Sequence, residues 1–163
     1  MKKIIVLSLI SMLGFVASCG DEKAKIVTAE TTESASVENA KSNDNPTYDS
    51  HRGEGKFTEV VVGNKLDSPL AESGSKTFDV KCSACHKLSD EKLVGPGWLG
   101  VTKRREPSWI LNFITNTDVM INKDPQVQAM LELCLVRMPN QSLTDDEAKG
   151  LLEFMRKNDG IKP

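Results

Sequence analysis

Residues 82–86 read Cys82-Ser83-Ala84-Cys85-His86. With 4 cysteines and 2 histidines in 163 residues, half of the thiols and half of the imidazoles fall within this one stretch. Cys-x-x-Cys-His reads as a c-type haem attachment. The spacing sets two thiols on one side of a helical turn, at a separation suited to the two vinyl groups of one haem. The next residue then projects a neutral imidazole over the iron. Two other chemistries use the same residues. A thioredoxin-like redox disulfide calls for a βαβ context, and no such pattern is visible. A structural zinc takes four ligands, so Cys134 and His51 would have to complete it, the latter from a polar segment.

The N-terminus bears on the compartment. Met1-Lys2-Lys3 is a basic head, and Ile4 to Val16 is apolar apart from Ser8, Ser11 and Gly14. Small residues follow, the layout of a secretory signal. The apolar run is short of the ~20 residues that span a bilayer. Val16-Ala17-Ser18-Cys19 resembles a bacterial lipobox. By that resemblance residues 1–18 are a removed signal peptide, and Cys19 becomes a lipidated N-terminus. Acyl chains contribute about 0.8 kcal/mol per buried methylene, and more than one anchors stably. The expectation is an exported protein, lipid-anchored to a bacterial membrane and facing the periplasm, where thiols meet an oxidising environment.

Residues 19–72 are rich in Ser, Thr, Ala, Glu, Asn and Lys, with few large apolar side chains. Such composition buries too little surface to offset its ordering entropy. It reads as a disordered tether of about 40 Å r.m.s. reach. Phe57-Thr58-Glu59-Val60-Val61-Val62 has strand propensity and could lie extended against the folded part.

Residues 73–163 then form one small domain. At this size a core is marginal, and a staple or bound cofactor commonly completes it. The pattern predicts an all-α fold with four helices. The first runs from about Ser73 into the cysteine cluster. The second starts at Pro107, favoured at a first helical position, and carries Trp109, Ile110, Phe113 and Ile114 on one face. The third has Asp124 as cap and Pro125 at its start, with a stripe of Val127, Met130, Leu131 and Cys134. The fourth opens on a capping box, Thr144-x-x-Glu147, with Ala148, Leu151, Leu152 and Met155 as its stripe and Phe154 beside it.

A haem iron has a sixth position, and thioether sulfur is a common occupant in electron-transfer haems. Met138 precedes Pro139 in a loop after a helix, where proline releases the side chain from helical packing. Met120, in a polar loop, competes with it, while Met130 and Met155 sit on apolar stripes and read as core.

Taken together, Cys82-Ser83-Ala84-Cys85-His86, Gly95-Pro96 and Met138-Pro139, in this order, resemble class I cytochrome c, the small monohaem family. The resemblance extends over Ser73 to about Gly160. Gly74 and Phe78 match its N-terminal helix, and Leu151 and Phe154 the C-terminal helix against which that helix packs. It implies a cytochrome c fold around one covalent haem c, held by Cys82 and Cys85, with His86 and Met138 as axial iron ligands. It also implies that the Pro96 carbonyl accepts the other ring N–H of His86, a bond that orients a metal-bound imidazole. Trp98 stands where the family usually has leucine.

The function expected on this reading is a membrane-tethered electron carrier, not an enzyme. Partners would be a redox donor and acceptor: a quinol-oxidising complex, a terminal oxidase, or a nitrogen-oxide or peroxide reductase. The alternative is a gas-binding, sensor or enzyme-associated haem domain with a weak sixth ligand. Arg104 and Arg105 could pair with haem propionates or be a solvated run. Trp109 reads as core, or as a propionate donor. Cys134 reads as a buried small hydrophobe. Lys76, Lys81, Lys87, Lys92 and Lys103 could steer an acidic partner. A net charge of −2 and the lack of a basic stripe give no nucleic-acid signal, and no small-molecule substrate site is apparent.

Overall fold

A computed structural model describes Tyr48–Pro163. The expected signal peptide 1–18, Cys19 and residues 20–47 of the expected tether lie outside the described residues. Within them the chain forms six helices: α1 Ser68–Lys81, α2 Val101–Arg104, α3 Pro107–Thr115, α4 Thr117–Lys123, α5 Pro125–Cys134 and α6 Asp145–Asn158. No strand occurs among the described residues, and none of these helices is long and apolar enough to cross a membrane.

The helix starts follow local chemistry. Thr144 and Glu147 form the reciprocal capping box of α6. Asp124 caps α5 through the amides of Gln126 and Val127. Pro107 opens α3. Helix α1 begins five residues before the expected Ser73, because the Asp67 carboxylate accepts from the Leu70 amide. It ends at Lys81, so the cysteine motif follows the helix instead of lying inside it. Two further helices, α2 and α4, occupy stretches expected as loop. The Asp159 carboxylate organises α2: it accepts from the amides of Gly100 and Thr102 and from the Thr102 hydroxyl.

The central packing is α1 across α6. Gly74 and Gly150 let the backbones touch: a Cβ on Gly74 would stand 1.9 Å from the Gly150 carbonyl oxygen. One turn further along each helix, Phe78 meets Phe154 with ring centroids 5.5 Å apart. Ala148, Leu151, Leu152 and Met155 are all buried, as the stripe on α6 predicts.

The reading of 19–72 as a disordered tether is corrected for its second half. Residues 48–66 form a strap packed on the helices. Its hold is polar as well as apolar, with Phe57, Val60 and Val62 packed on the core, and composition gave no sign of the polar part. The fully buried Asn112 of α3 donates to the carbonyls of Arg52 and Phe57 at 3.0 and 2.9 Å and accepts from the Phe57 amide at 3.0 Å. Arg156 donates to the Gly63 carbonyl and pairs with Glu153, both nearly buried. Glu153 in turn accepts from the Asp67 amide. Leu66, at the end of the strap, is buried. The Phe57–Val62 run does lie against the domain, with no sheet partner.

Candidate functional site

After α1 the chain turns tightly. The amides of Cys85 and His86 both donate to the Cys82 carbonyl at 3.0 Å, and so the two thiols and the imidazole are gathered at one end of α1. The following loop folds back on this turn. The amides of Val94 and Gly95 donate to the Cys85 carbonyl, and the Trp98 amide to that of Lys87. Gly95 is required there, since a Cβ would come within 2.4 Å of the His86 ring. This return places the Pro96 carbonyl 2.8 Å from His86 Nδ1. With Nδ1 donating to that carbonyl, Nε2 is the unprotonated, metal-competent nitrogen. Burial holds the imidazole below its ordinary pKa, with the Pro96 bond acting in the opposite sense, so the ring is a neutral ligand near pH 7.

These groups line a cleft that also takes in Met138, Trp98, Met130 and Ile110. Its volume is about 210 Å³, measured as room for the centres of water-sized molecules. A single water needs only about 10–15 Å³ on that measure, so the space suits a multi-ring apolar group. All four residues of the α5 stripe, Val127, Met130, Leu131 and Cys134, face this cleft. Met130 is therefore cleft wall and only half-buried, whereas Met155 is both cleft wall and core. Trp98 is buried edge-on against Phe78, with centroids 4.8 Å apart, and lies 5.7 Å from the His86 ring.

Cys82, Cys85 and Cys134 are all free thiols. The Cys82 thiol is buried, which pushes its pKa up to about 11 in spite of the nearby Lys81. No three His, Cys, Asp or Glu side chains are grouped to hold a metal ion among the described residues. His51 is exposed and is not part of the cleft lining. That separates it from the cysteines as a zinc site would not. Two free thiols, a neutral imidazole and a thioether around an apolar cleft are the donor set that a covalently held haem requires.

Several expectations resolve differently. Met120 is not in a loop: it is fully buried in α4. Its sulfur accepts from the Glu54 amide at 3.0 Å and lies 3.6 Å from the Tyr48 hydroxyl, and it does not line the cleft. The strap thus takes Met120 out of contention. Trp109 donates its indole N–H to Asp124 at 2.8 Å. Arg105 stacks on the Trp109 ring at 4.4 Å, and Arg104 donates to the Leu99 carbonyl at 2.6 Å. Cys134 is half-buried on the cleft wall, not enclosed in a core.

Comparison with known proteins agrees with this geometry. The family model for cytochrome c matches residues 71–159. A cytochrome c-553-like protein of Synechocystis is 31% identical over 65 residues, which is 39% of this chain. The match spans 62% of that relative's length. The solved cytochrome c from Rhodothermus marinus superposes with a TM-score of 0.62 at 33% identity, covering 64% of this chain and 90% of that one. An engineered form of the same protein gives 0.62 at 32% identity, with the same coverage. The chain belongs to the cytochrome c family, an all-helical monohaem fold whose cofactor is covalently bound haem c.

Proposed function

We propose that this cytochrome is a lipid-anchored carrier that shuttles single electrons between membrane-associated respiratory partners on the periplasmic side. Cys82 and Cys85 hold the haem through thioether bonds, and His86 and Met138 bind its iron. The observation that carries the reading is the joint placement of these four residues on one apolar cleft, with Pro96 holding the imidazole in its ligating tautomer. The haem supplies the one-electron couple. The chain's part would be to ligate the iron through His86 and Met138, to exclude water with the α5 and α6 side chains, and to leave a rim for transfer. Met/His ligation raises the potential of such a centre.

The anchor is Cys19, and residues 20–47 join it to the strap. Holding the carrier near its partners makes docking effectively intramolecular. A quinol-oxidising complex fits as donor; a terminal oxidase or a nitrogen-oxide or peroxide reductase fits as acceptor. Apolar side chains contribute to the rim: Val94 and Val136 line the cleft and are exposed. Several of the lysines are matched within the molecule: Lys76 with Glu72, Lys81 with Glu147, Lys87 with Glu91, and Lys92 with the Leu133 carbonyl.

The test is the absorption spectrum of the purified ferric protein. The weak long-wavelength band of an iron–thioether bond is expected in the wild type and in Met120→Ala, and lost in Met138→Ala. Carbon monoxide should leave the ferrous wild type unchanged. Ready binding of the gas would overturn the carrier reading in favour of a ligand-binding haem.

A further inference from the structure

Behind the cleft wall, where the strap meets α3 and α5, the Asp124 carboxylate is fully buried. A charged group is tolerated there only with partners, and Asp124 has four. Oδ1 accepts from the amides of Gln126 and Val127 at 2.8 and 3.0 Å. Oδ2 accepts from the Trp109 indole at 2.8 Å and from the Tyr48 hydroxyl at 2.6 Å. All four are donors, the pattern that suits an ionised carboxylate. Capping α5 needs Oδ1 alone. The second oxygen is occupied by two long-range donors, one of them 76 residues away in the strap.

Trp109 is itself a wall of the haem cleft. Asp124 therefore stands one indole ring behind the cofactor site. Beyond Tyr48 and Trp109, Gly53 packs beside the indole and Met120, whose sulfur lies 3.6 Å from the Tyr48 hydroxyl, and two further anions, Glu54 and Asp49, act on Tyr48. The half-buried Arg105 guanidinium, 4.4 Å over the indole ring, is a cation that acts on Asp124. Burial and the bond to Asp124 hold the Tyr48 phenol well above its ordinary pKa, so it stays a donor.

We propose that Asp124 is a built-in negative charge that tunes the haem: it favours the ferric state and lowers the reduction potential, and Tyr48 of the strap moderates it. This rests on the electron-carrier reading above. The ferric centre carries one more positive charge than the ferrous one, so a fixed anion nearby stabilises it preferentially. A donor on the anion draws off part of that effect.

The two variants should therefore move in opposite directions. Asp124→Asn removes the charge and keeps a capping oxygen, so the potential rises. Tyr48→Phe leaves the charge and removes a donor, so the potential falls. A role confined to holding the fold together would shift both the same way, through greater exposure of the haem, or neither.

The experiment is a spectroelectrochemical titration of the haem-loaded full chain, wild type against each variant, at low and high salt. Asp124→Asn is expected to shift the ferrous-to-ferric ratio at fixed potential at least threefold toward ferrous, about 28 mV at 59 mV per tenfold for one electron. The shift should persist at high salt, because buried charges are little screened. Unchanged potentials, or shifts of the same sign in both variants, overturn the proposal. If Asp124→Asn fails to fold, Tyr48→Phe decides alone, and a potential that does not fall overturns it. A wild type with no reversible one-electron couple overturns the carrier reading as well. A normal couple indifferent to Asp124 overturns only the charge proposal.

Discussion

Alanine at Gly74 and alanine at Gly150 are chemically the same change on two facing helices, yet the crossing of α1 and α6 makes them unequal. A Cβ on Gly74 would stand 1.9 Å from the Gly150 oxygen, 2.2 Å from its carbonyl carbon and 2.8 Å from the Leu151 nitrogen. All three obstacles are backbone, so no rotamer change relieves them. Restoring contact distance requires the helices to part by roughly 1.5 Å, against a close-packed interior. Overpacking of this kind costs about 1–3 kcal/mol and more when backbone must move, while alanine in place of glycine returns about 1 kcal/mol of helix propensity. Because every obstacle is backbone, the cost falls at the upper end or beyond, and the expected net loss for Gly74→Ala is about 2 kcal/mol or more. At Gly150 the nearest atoms to a new Cβ are 3.1–3.3 Å away, a matter of tenths of an ångström. There the propensity gain should bring the net effect to within about 1 kcal/mol of zero. Urea unfolding of the haem-loaded protein, followed by far-UV circular dichroism, reads both values from midpoint and slope. A Gly150→Ala protein as unstable as Gly74→Ala, or more so, would refute the geometry of the crossing.

Two further outcomes follow from the strap and the α6 cap. Asn112→Ala removes three hydrogen bonds to the strap backbone; at about 1 kcal/mol each, stability should fall by roughly 2–4 kcal/mol. Limited chymotrypsin digestion should then cut near Phe57 in the variant well before the wild type. Glu147 is held below its ordinary pKa by Lys81 first and by the Thr144 amide second. Its folded value is depressed, so the stability it adds is fully present above the unfolded value of 4.5 and is lost as pH falls through the folded one. The stability gap between wild type and Glu147→Gln should therefore close on acidification below that point, as measured by thermal unfolding across pH.

What could be read in advance was whatever is encoded within a few residues. Pro107, the Asp124-Pro125 pair and the Thr144–Glu147 box each mark a helix start through contacts made inside one turn. The cysteine motif and Gly95-Pro96 are of the same kind. Apart from the start of α1, which the local Asp67 cap sets, the misses depend on contacts across the chain. Helix α2 owes its N-terminus to Asp159, 57 residues later. Asn112 is a polar residue on an otherwise apolar helix, and its partners are carbonyls and amides in a segment that composition marks as solvated. Met120 looked available because the groups that occupy its sulfur come from Glu54 and Tyr48. The α5 stripe was seen correctly as a pattern, but periodicity does not distinguish a face turned to other side chains from one turned to a cofactor.

The strap also changes what counts as the smallest self-sufficient piece of this molecule. The cytochrome c family match begins at residue 71, yet Asn112, Met120 and the Glu153–Arg156 pair, all inside it, depend for their partners on residues 48–67. A clone trimmed to the shared boundary would leave an amide, a guanidinium and a thioether facing water they were never shaped to meet. Such a clone should express poorly or mature incompletely, whereas one starting at Tyr48 retains those partners. The border of the family match and that of the strap-bound unit lie some twenty residues apart.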